Sequence, residues 1–233
     1  MGESVHFTSS RGEACGYLAR PAGAAVPVSA GAAPRAGIVV IQEWWGLVPQ
    51  IEGVADRFAA ATGYVALAPD LYHGQSTVEA EEAHHLMDGL DWSRAAAELA
   101  GAVAHLREAE GVSRVGVVGF CMGGALTLIA AADPAVAAWV SFYGFPPAGS
   151  AELDRITAPG LQIFGEREHA FSVAEAEAFA VAQRAKGLEA GFVVYPGAGH
   201  GFFNETIAAI YHEPSAQDAW ARTVEHFGRH LHG

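Results

Sequence analysis

Residues Val115 to Gly124 read Val-Gly-Val-Val-Gly-Phe-Cys-Met-Gly-Gly. The first four are apolar or glycine, the pattern of a short buried strand. Gly119-Phe120-Cys121-Met122-Gly123 follows, and Ala125 to Ala132 continues as a helical stretch. A nucleophile between two glycines at a strand-to-helix turn is the signature of a nucleophile elbow. The glycines are required because such a turn is sharp and crowds neighbouring backbone against the nucleophile. Cys121 puts a thiol where most such turns carry a hydroxyl.

Working outward, strands and helices alternate from Gly37 onward. Strands are expected at Ile38 to Ile41, Tyr64 to Ala68, Arg114 to Val118, Val136 to Phe142, Gly160 to Phe164 and Phe192 to Tyr195. Helices are expected at Pro49 to Ala61, Val78 to Leu90, Trp92 to Glu108, Phe171 to Lys186 and Ser215 to Leu231. In the first helix Ile51, Val54, Ala55 and Phe58 recur at helical spacing. This alternation predicts an α/β fold with a mostly parallel central sheet covered by helices on both faces. Val5 to Ser9 and Ala14 to Ala19 flank a turn at Arg11-Gly12 and predict an antiparallel pair at the sheet edge. Pro21 to Arg35, rich in Ala, Gly and Pro, reads as a surface loop within a single domain spanning residues 1–233.

The 233 residues are 51% hydrophobic and 17% charged, a globular composition. The net charge of -13 opposes nucleic acid and anionic membrane surfaces as partners. No apolar run reaches the roughly 20 residues that span a bilayer. Met1 to Phe7 lacks the basic start and apolar core of a signal peptide, so a cytoplasmic location is expected. The two cysteines, Cys15 and Cys121, are then expected to be free, with Cys15 a core residue of a strand.

A thiol nucleophile needs a base, a group to orient the base, and donors for the developing oxyanion. His200, in Gly197-Ala198-Gly199-His200-Gly201-Phe202, sits on a glycine-rich loop after a late strand and is the expected base. The acid should follow the strand Gly160 to Phe164. Glu168 is preferred, three residues after Gly165, with Glu166 as the other carboxylate within reach. The backbone N–H groups of Met122 and Trp44 are the expected oxyanion donors. Glu43 ends an apolar strand beside Trp44 and Trp45, a costly place for a carboxylate without a hydrogen-bonding or functional reason. One of the two tryptophans is expected in the core and one near substrate. Tyr143 is a further candidate for the pocket. His84-His85 invites a metal reading, but adjacent helical residues do not share a face and no third ligand is apparent, so neither metal nor cofactor is expected. His226, His230 and His232 read as a solvated face at the end of the last helix.

These pieces, in this order, resemble the dienelactone hydrolase (carboxymethylenebutenolidase) family of α/β-hydrolases. The resemblance runs from about Phe7 to Leu231. It includes Gly16-Tyr17-Leu18-Ala19-Arg20-Pro21, Gln42-Glu43-Trp44-Trp45-Gly46, Ala68-Pro69-Asp70-Leu71-Tyr72, the cysteine elbow, Tyr143-Gly144 and Gly199-His200-Gly201-Phe202. It implies an α/β-hydrolase fold without a lid domain, a Cys–His–acid triad, and a glutamate, matching Glu43, that pairs with the thiol and helps form the thiolate when substrate binds. The substrate would be a small ester or lactone, on a monomer or homodimer. The chain departs from the family in three places. The triad acid is usually aspartate, and Glu168 stands there. Two arginines usually hold a substrate carboxylate; Asn204 stands at one of these positions, and no arginine lies between Arg57 and Arg94 to supply the other. An aromatic position matches His84. Trp45, Tyr143, His84, Phe202 and Asn204 are therefore the expected substrate-binding residues. Without the arginines, a general carboxylesterase or thioesterase competes with a dienelactone hydrolase, and a catalytically silent binding protein is the reading from another class.

Overall fold

A computed structural model describes residues 2–23, 35–147 and 149–232. Most of the expected loop from Pro21 to Arg35 (24–34) lies outside the described residues. The strands are β1 (Glu3–Ser9), β2 (Gly12–Ala19), β3 (Arg35–Ile41), β4 (Val65–Pro69), β5 (Val112–Phe120), β6 (Val136–Phe142), β7 (Gly160–Arg167) and β8 (Ala190–Gly199). The helices are α1 (Pro49–Thr62), α2 (Ala80–Asp88), α3 (Trp92–Glu108), α4 (Met122–Ala130), α5 (Val173–Ala185) and α6 (Glu213–Leu231). The strands form one sheet in the order β1-β2-β4-β3-β5-β6-β7-β8. β1 and β2 are antiparallel to each other, β2 is antiparallel to β4, and the remaining pairs are parallel. This is the α/β-hydrolase arrangement, and no large lid is inserted.

Strand pleating assigns the helices to faces. A side chain at Gly116 of β5 would strike Phe227 and Leu231 of α6. Phe58 of α1 meets Trp220 and Phe227 of α6 on that same face. The next position, Val117, pairs with Trp139 of β6, whose ring faces Phe179 of α5. α4 lies on this second face too, since Ser141 of β6 donates its hydroxyl to the Gly124 carbonyl. The strands between are buried on both sides, with Ile38, Val39, Val40, Val115, Val117 and Val118 fully enclosed.

Helix ends follow local chemistry. Pro49 opens α1, and Gly63 closes it at φ 73°. The Asp91 carboxylate caps α3 by accepting from the N–H groups of Ser93 and Arg94. Ser172 caps α5. No helix among the described residues is long and apolar enough to cross a membrane. Both cysteines are free; Cys15 is not in the core as expected but half-buried on β2, on the face of the strand that alternation leaves partly open.

Two further expectations need correction. β7 and β8 run well past the apolar segments Gly160 to Phe164 and Phe192 to Tyr195. Backbone pairing continues to Arg167↔Gly199 through an irregularity after Gly165, in a stretch where side-chain apolarity no longer marks a strand. His226 is not on a solvated face: it is 2% exposed. It lies seven residues after Ala219 and three after Thr223, both buried, so it falls on the helix stripe that faces the sheet. Burial, with help from His230 and Arg229, pushes its imidazolium down to about 4. His230 is half-buried, while His232 is exposed and hydrogen-bonds the Tyr64 hydroxyl at 2.8 Å.

Arg20, just after β2, holds Glu110, just after α3, through two hydrogen bonds of 2.7 and 2.6 Å. Glu110 is 3% exposed. Removing one partner of such a pair strands a buried charge and costs about 3 kcal/mol. Arg20→Ala should lower unfolding free energy by about that amount in urea denaturation, and Glu110→Gln in the same chain should recover part of the loss.

Candidate active site

The elbow places the thiol. Cys121 lies between β5 and α4 with φ 56° and ψ -118°, a conformation that a residue with a side chain adopts only under constraint. The constraint is steric. A Cβ at Gly119 would lie against the Gly123 carbonyl and 2.6 Å from Thr127 Oγ1; one at Gly123 would lie against the Gln42 carbonyl and 2.5 Å from that of Ile41. α4 therefore starts pressed against the end of β3. Met122, the first residue of α4, has an N–H with no partner one turn earlier, the free donor of a helix start. Trp44 lies in a turn three residues beyond the end of β3, the strand next to β5.

His200 and Glu168, the expected base and acid, are placed by β7 and β8. Arg167 and Gly199 are paired, so the next residues, Glu168 and His200, lie side by side. His200 Nδ1 is 2.9 and 3.0 Å from the two Glu168 oxygens. Glu168 Oε1 also accepts from the N–H groups of His169 at 2.9 Å and Ala170 at 2.7 Å. Glu166 turns elsewhere and accepts from the Gly197 N–H at 2.8 Å. Cys121 is the other group close enough to act on the His200 ring. Burial alone would depress the His200 imidazolium, but its interactions with Cys121 and Glu168 outweigh it and raise it to about 10. Burial pushes the Glu168 carboxyl up, yet its hydrogen bond to His200 and the His200 charge hold it below the usual carboxylate range.

Glu43 stands behind this row, 4% exposed. Its Oε1 accepts from the Tyr143 hydroxyl at 3.1 Å and its Oε2 from Asn204 Nδ2 at 2.8 Å. Burial raises the Glu43 carboxyl above its ordinary range, opposed by those two hydrogen bonds and by the nearby His200. Asn204, expected to bind substrate, thus binds a protein carboxylate; its Oδ1 accepts from Thr206. Tyr143 is fully buried at φ 37°, its ring 5.1 Å from that of His200.

A cavity of about 700 Å³ opens onto Cys121, Met122 and His200. Trp44 and His84 line it, with their rings edge to face at 6.4 Å. Trp45 lines a different cleft, and Asn204 faces that cleft too. Phe202 is buried in the core against Tyr143 and Tyr195. Of the five residues expected to bind substrate, His84 alone lines the cavity at Cys121. Sequence reasoning missed much of the wall: Met87 and Trp92, Phe145-Pro146-Pro147, and His169 to Ser172. The last two groups follow β6 and β7 at their carboxyl ends, where open α/β sheets bind ligands, and topology alone could have singled them out. Among the described residues the wall carries no arginine or lysine; its charged members are Asp88 and Glu175, with His84, His169 and His200 as the titratable rings.

Comparison with known proteins agrees with this architecture. Residues 18–231 match the model of the dienelactone hydrolase family. The chain is 34% identical to a provisionally assigned carboxymethylenebutenolidase of Methylorubrum extorquens, over 89% of this chain and 76% of that one. It is 32% identical to protein usf of Aquifex pyrophilus, over 99% of this chain and 100% of that one. Among solved structures, a provisionally assigned dienelactone hydrolase of Klebsiella pneumoniae superposes with a TM-score of 0.82 at 28% identity, covering 99% of this chain and 100% of that chain. A metagenomic dienelactone hydrolase-like promiscuous phosphotriesterase shares the fold, with a TM-score of 0.85 at 23% identity over 100% of this chain and 99% of that chain. The chain belongs to the dienelactone hydrolase (carboxymethylenebutenolidase) family of the α/β-hydrolase superfamily, as an enzyme hydrolysing small esters or lactones.

Proposed function

We propose that this enzyme is a general carboxylesterase or thioesterase for small uncharged or cationic substrates, working through an acyl-cysteine intermediate. The observation that carries the substrate class is the cavity wall: Trp44, Trp92, Phe145 and Phe171 offer apolar surface, Asp88 and Glu175 offer negative charge, and no guanidinium or ammonium is present to pair with a substrate carboxylate. A carboxylated lactone would enter a pocket that repels it, in a protein of net charge -13.

In the proposed chemistry the Cys121 thiol gives its proton to His200 and its sulfur attacks the ester carbonyl. The carbonyl electrons move to the oxygen, held by the N–H groups of Met122 and Trp44. As the tetrahedral species collapses, the C–O bond breaks and the His200 imidazolium protonates the departing alkoxide. A water then gives its proton to His200 while its oxygen attacks the acyl-cysteine carbonyl; the C–S bond breaks, the acid leaves and the thiol is restored. Glu168 keeps the imidazole in the working tautomer and stabilises its cation, which suits a carboxylate held ionised by His200. Glu43, clamped by Tyr143 and Asn204, modulates the charge balance between the thiol and His200.

Three aryl esters of equal size, differing only in a neutral, cationic or carboxylate tail, test this reading. The neutral and cationic esters should exceed the anionic one in kcat/KM by about tenfold, since ~1 kcal/mol of repulsion is about fivefold and two carboxylates line the wall. Preference for the anionic ester would overturn the substrate class. Cys121→Ala should lower all three rates by about 10⁴-fold or more; retained turnover would overturn the nucleophile, and absence of turnover in the parent chain would favour a silent binding protein.

Proton linkage gives a second test. The raised His200 value means its contribution to stability is complete below about 6.5, the free value, and is lost as pH rises through about 10. Imidazole NMR should show His200 titrating near that upper value in the parent and markedly lower in Cys121→Ala and in Glu168→Gln. The parent's stability should also fall more between pH 7 and 10 than that of either variant.

A further inference from the structure

At the opposite end of the sheet from Cys121, where β7 and β8 begin, three potential ligands converge: Glu189, His226 and His230. Each offers one donor atom, and these atoms lie within 4.8 Å of one another. His226 and His230 are four residues apart on α6 and share one face, with ring centroids 4.7 Å apart. Glu189 immediately precedes β8. Its Oε1 is 3.2 Å from His230 Nε2.

His226 is the independent observation that points to a ligand. Its side chain is 98% buried, and its Nε2 has no hydrogen-bonding partner among the described residues. The ring is hydrogen-bonded to the Pro159 carbonyl. Because Nε2 is unpartnered, Nδ1–H makes that bond, which leaves the Nε2 lone pair free. A ring N–H fixed by a backbone carbonyl, with the opposite nitrogen open, is how proteins orient a metal-binding histidine. The adjacent residue completes the frame, since the Gly160 N–H donates to the Glu189 carbonyl at 2.9 Å. Two of the three ligands are thus anchored to the dipeptide Pro159-Gly160. A cavity of about 390 Å³ reaches both Glu189 and His226, giving an entry path and room for a water as fourth ligand.

We propose that Glu189, His226 and His230 form a binding site for a divalent transition metal, zinc by the chemistry of two imidazoles and a carboxylate. Tetrahedral zinc with bonds of about 2.0–2.1 Å sets its donors roughly 3.3 Å apart, so the widest pair closes by about 1.5 Å on binding. Positive neighbours oppose the ion. Arg229 Nη1 lies 3.2 Å from Glu189 Oε1, but both side chains are about half exposed, and such surface pairs are weak enough to yield. Arg184 is held by the Ala190 carbonyl at 2.6 Å and Arg222 by Asp218 at 2.6 Å, and Glu225 adds a carboxylate to the cavity wall. The site ties the end of α6 to the start of β8 and takes no part in the chemistry at Cys121.

The untagged full chain, freed of metal with a chelator, is titrated with Zn²⁺ alone against a competing dye. One ion should bind per chain with Kd near or below 1 µM and raise Tm. Co²⁺ in its place should give the visible absorption of a four-coordinate site. Binding should weaken at least tenfold in His230→Ala and in Glu189→Gln, both at accessible positions, with ester turnover unchanged. It should persist in Cys121→Ala, which separates this site from the thiol. Absence of binding up to 100 µM, or affinity unaltered by His230→Ala and Glu189→Gln, would overturn the proposal.

Discussion

The close approach of α4 to the end of β3 constrains everything around Cys121. Gly123 sits against the carbonyls of Ile41 and Gln42, and Gly119 against that of Gly123. Neither contact leaves room for a side chain, so the chain between them turns only by holding Cys121 at φ 56°. Strain of this kind costs of order 1–3 kcal/mol and persists only where the surroundings enforce it. Here the enforcement comes from two central parallel strands and a helix whose residues from Met122 to Leu128 are buried. The same contact brings the segment carrying Glu43 and Trp44 close to the elbow.

A second constraint acts through β7 and β8. Their pairing does not stop where apolar side chains stop; it runs on to Arg167 and Gly199. That extension places Glu168 and His200 next to each other without any long-range adjustment of loops. Glu168, the proposed triad acid, is fixed by the N–H groups of His169 and Ala170 as well as by His200. The electrostatics follow from this packing. Groups of opposite charge share a buried site, so the imidazolium is stabilised and the Glu168 carboxyl stays ionised, while Glu43, behind them, is pushed the other way by burial.

Much of this was legible in the residues. The elbow, the alternation of strands and helices, and the positions of His200 and Glu168 after successive strands rest on short-range patterns. Val136–Phe142 and Trp92–Glu108 have the bounds that periodicity gives them. What could not be read depends on backbone pairing and on which way a side chain faces. The extended ends of β7 and β8 leave no apolar trace. Trp44 and Trp45 are neighbours of one type, yet they line different hollows. Asn204 and Tyr143 looked like substrate contacts and instead hold Glu43. His226 looked solvated because histidine is polar, whereas its helical phase puts it against the sheet.

Among the described residues no arginine or lysine lines the cavity at Cys121, which bears on the proposed substrates rather than on the family assignment. A cavity of aromatic and acidic residues surrounds the Cys121 thiol, and formation of an acyl-enzyme there is what we propose. It is tested most directly by quenching the enzyme with acid within milliseconds of mixing with a neutral aryl ester and weighing the intact protein. The account predicts a mass increase of one acyl group, mapped by peptide analysis to Cys121. Turnover without any acyl adduct on Cys121, or an adduct on another residue, would contradict it.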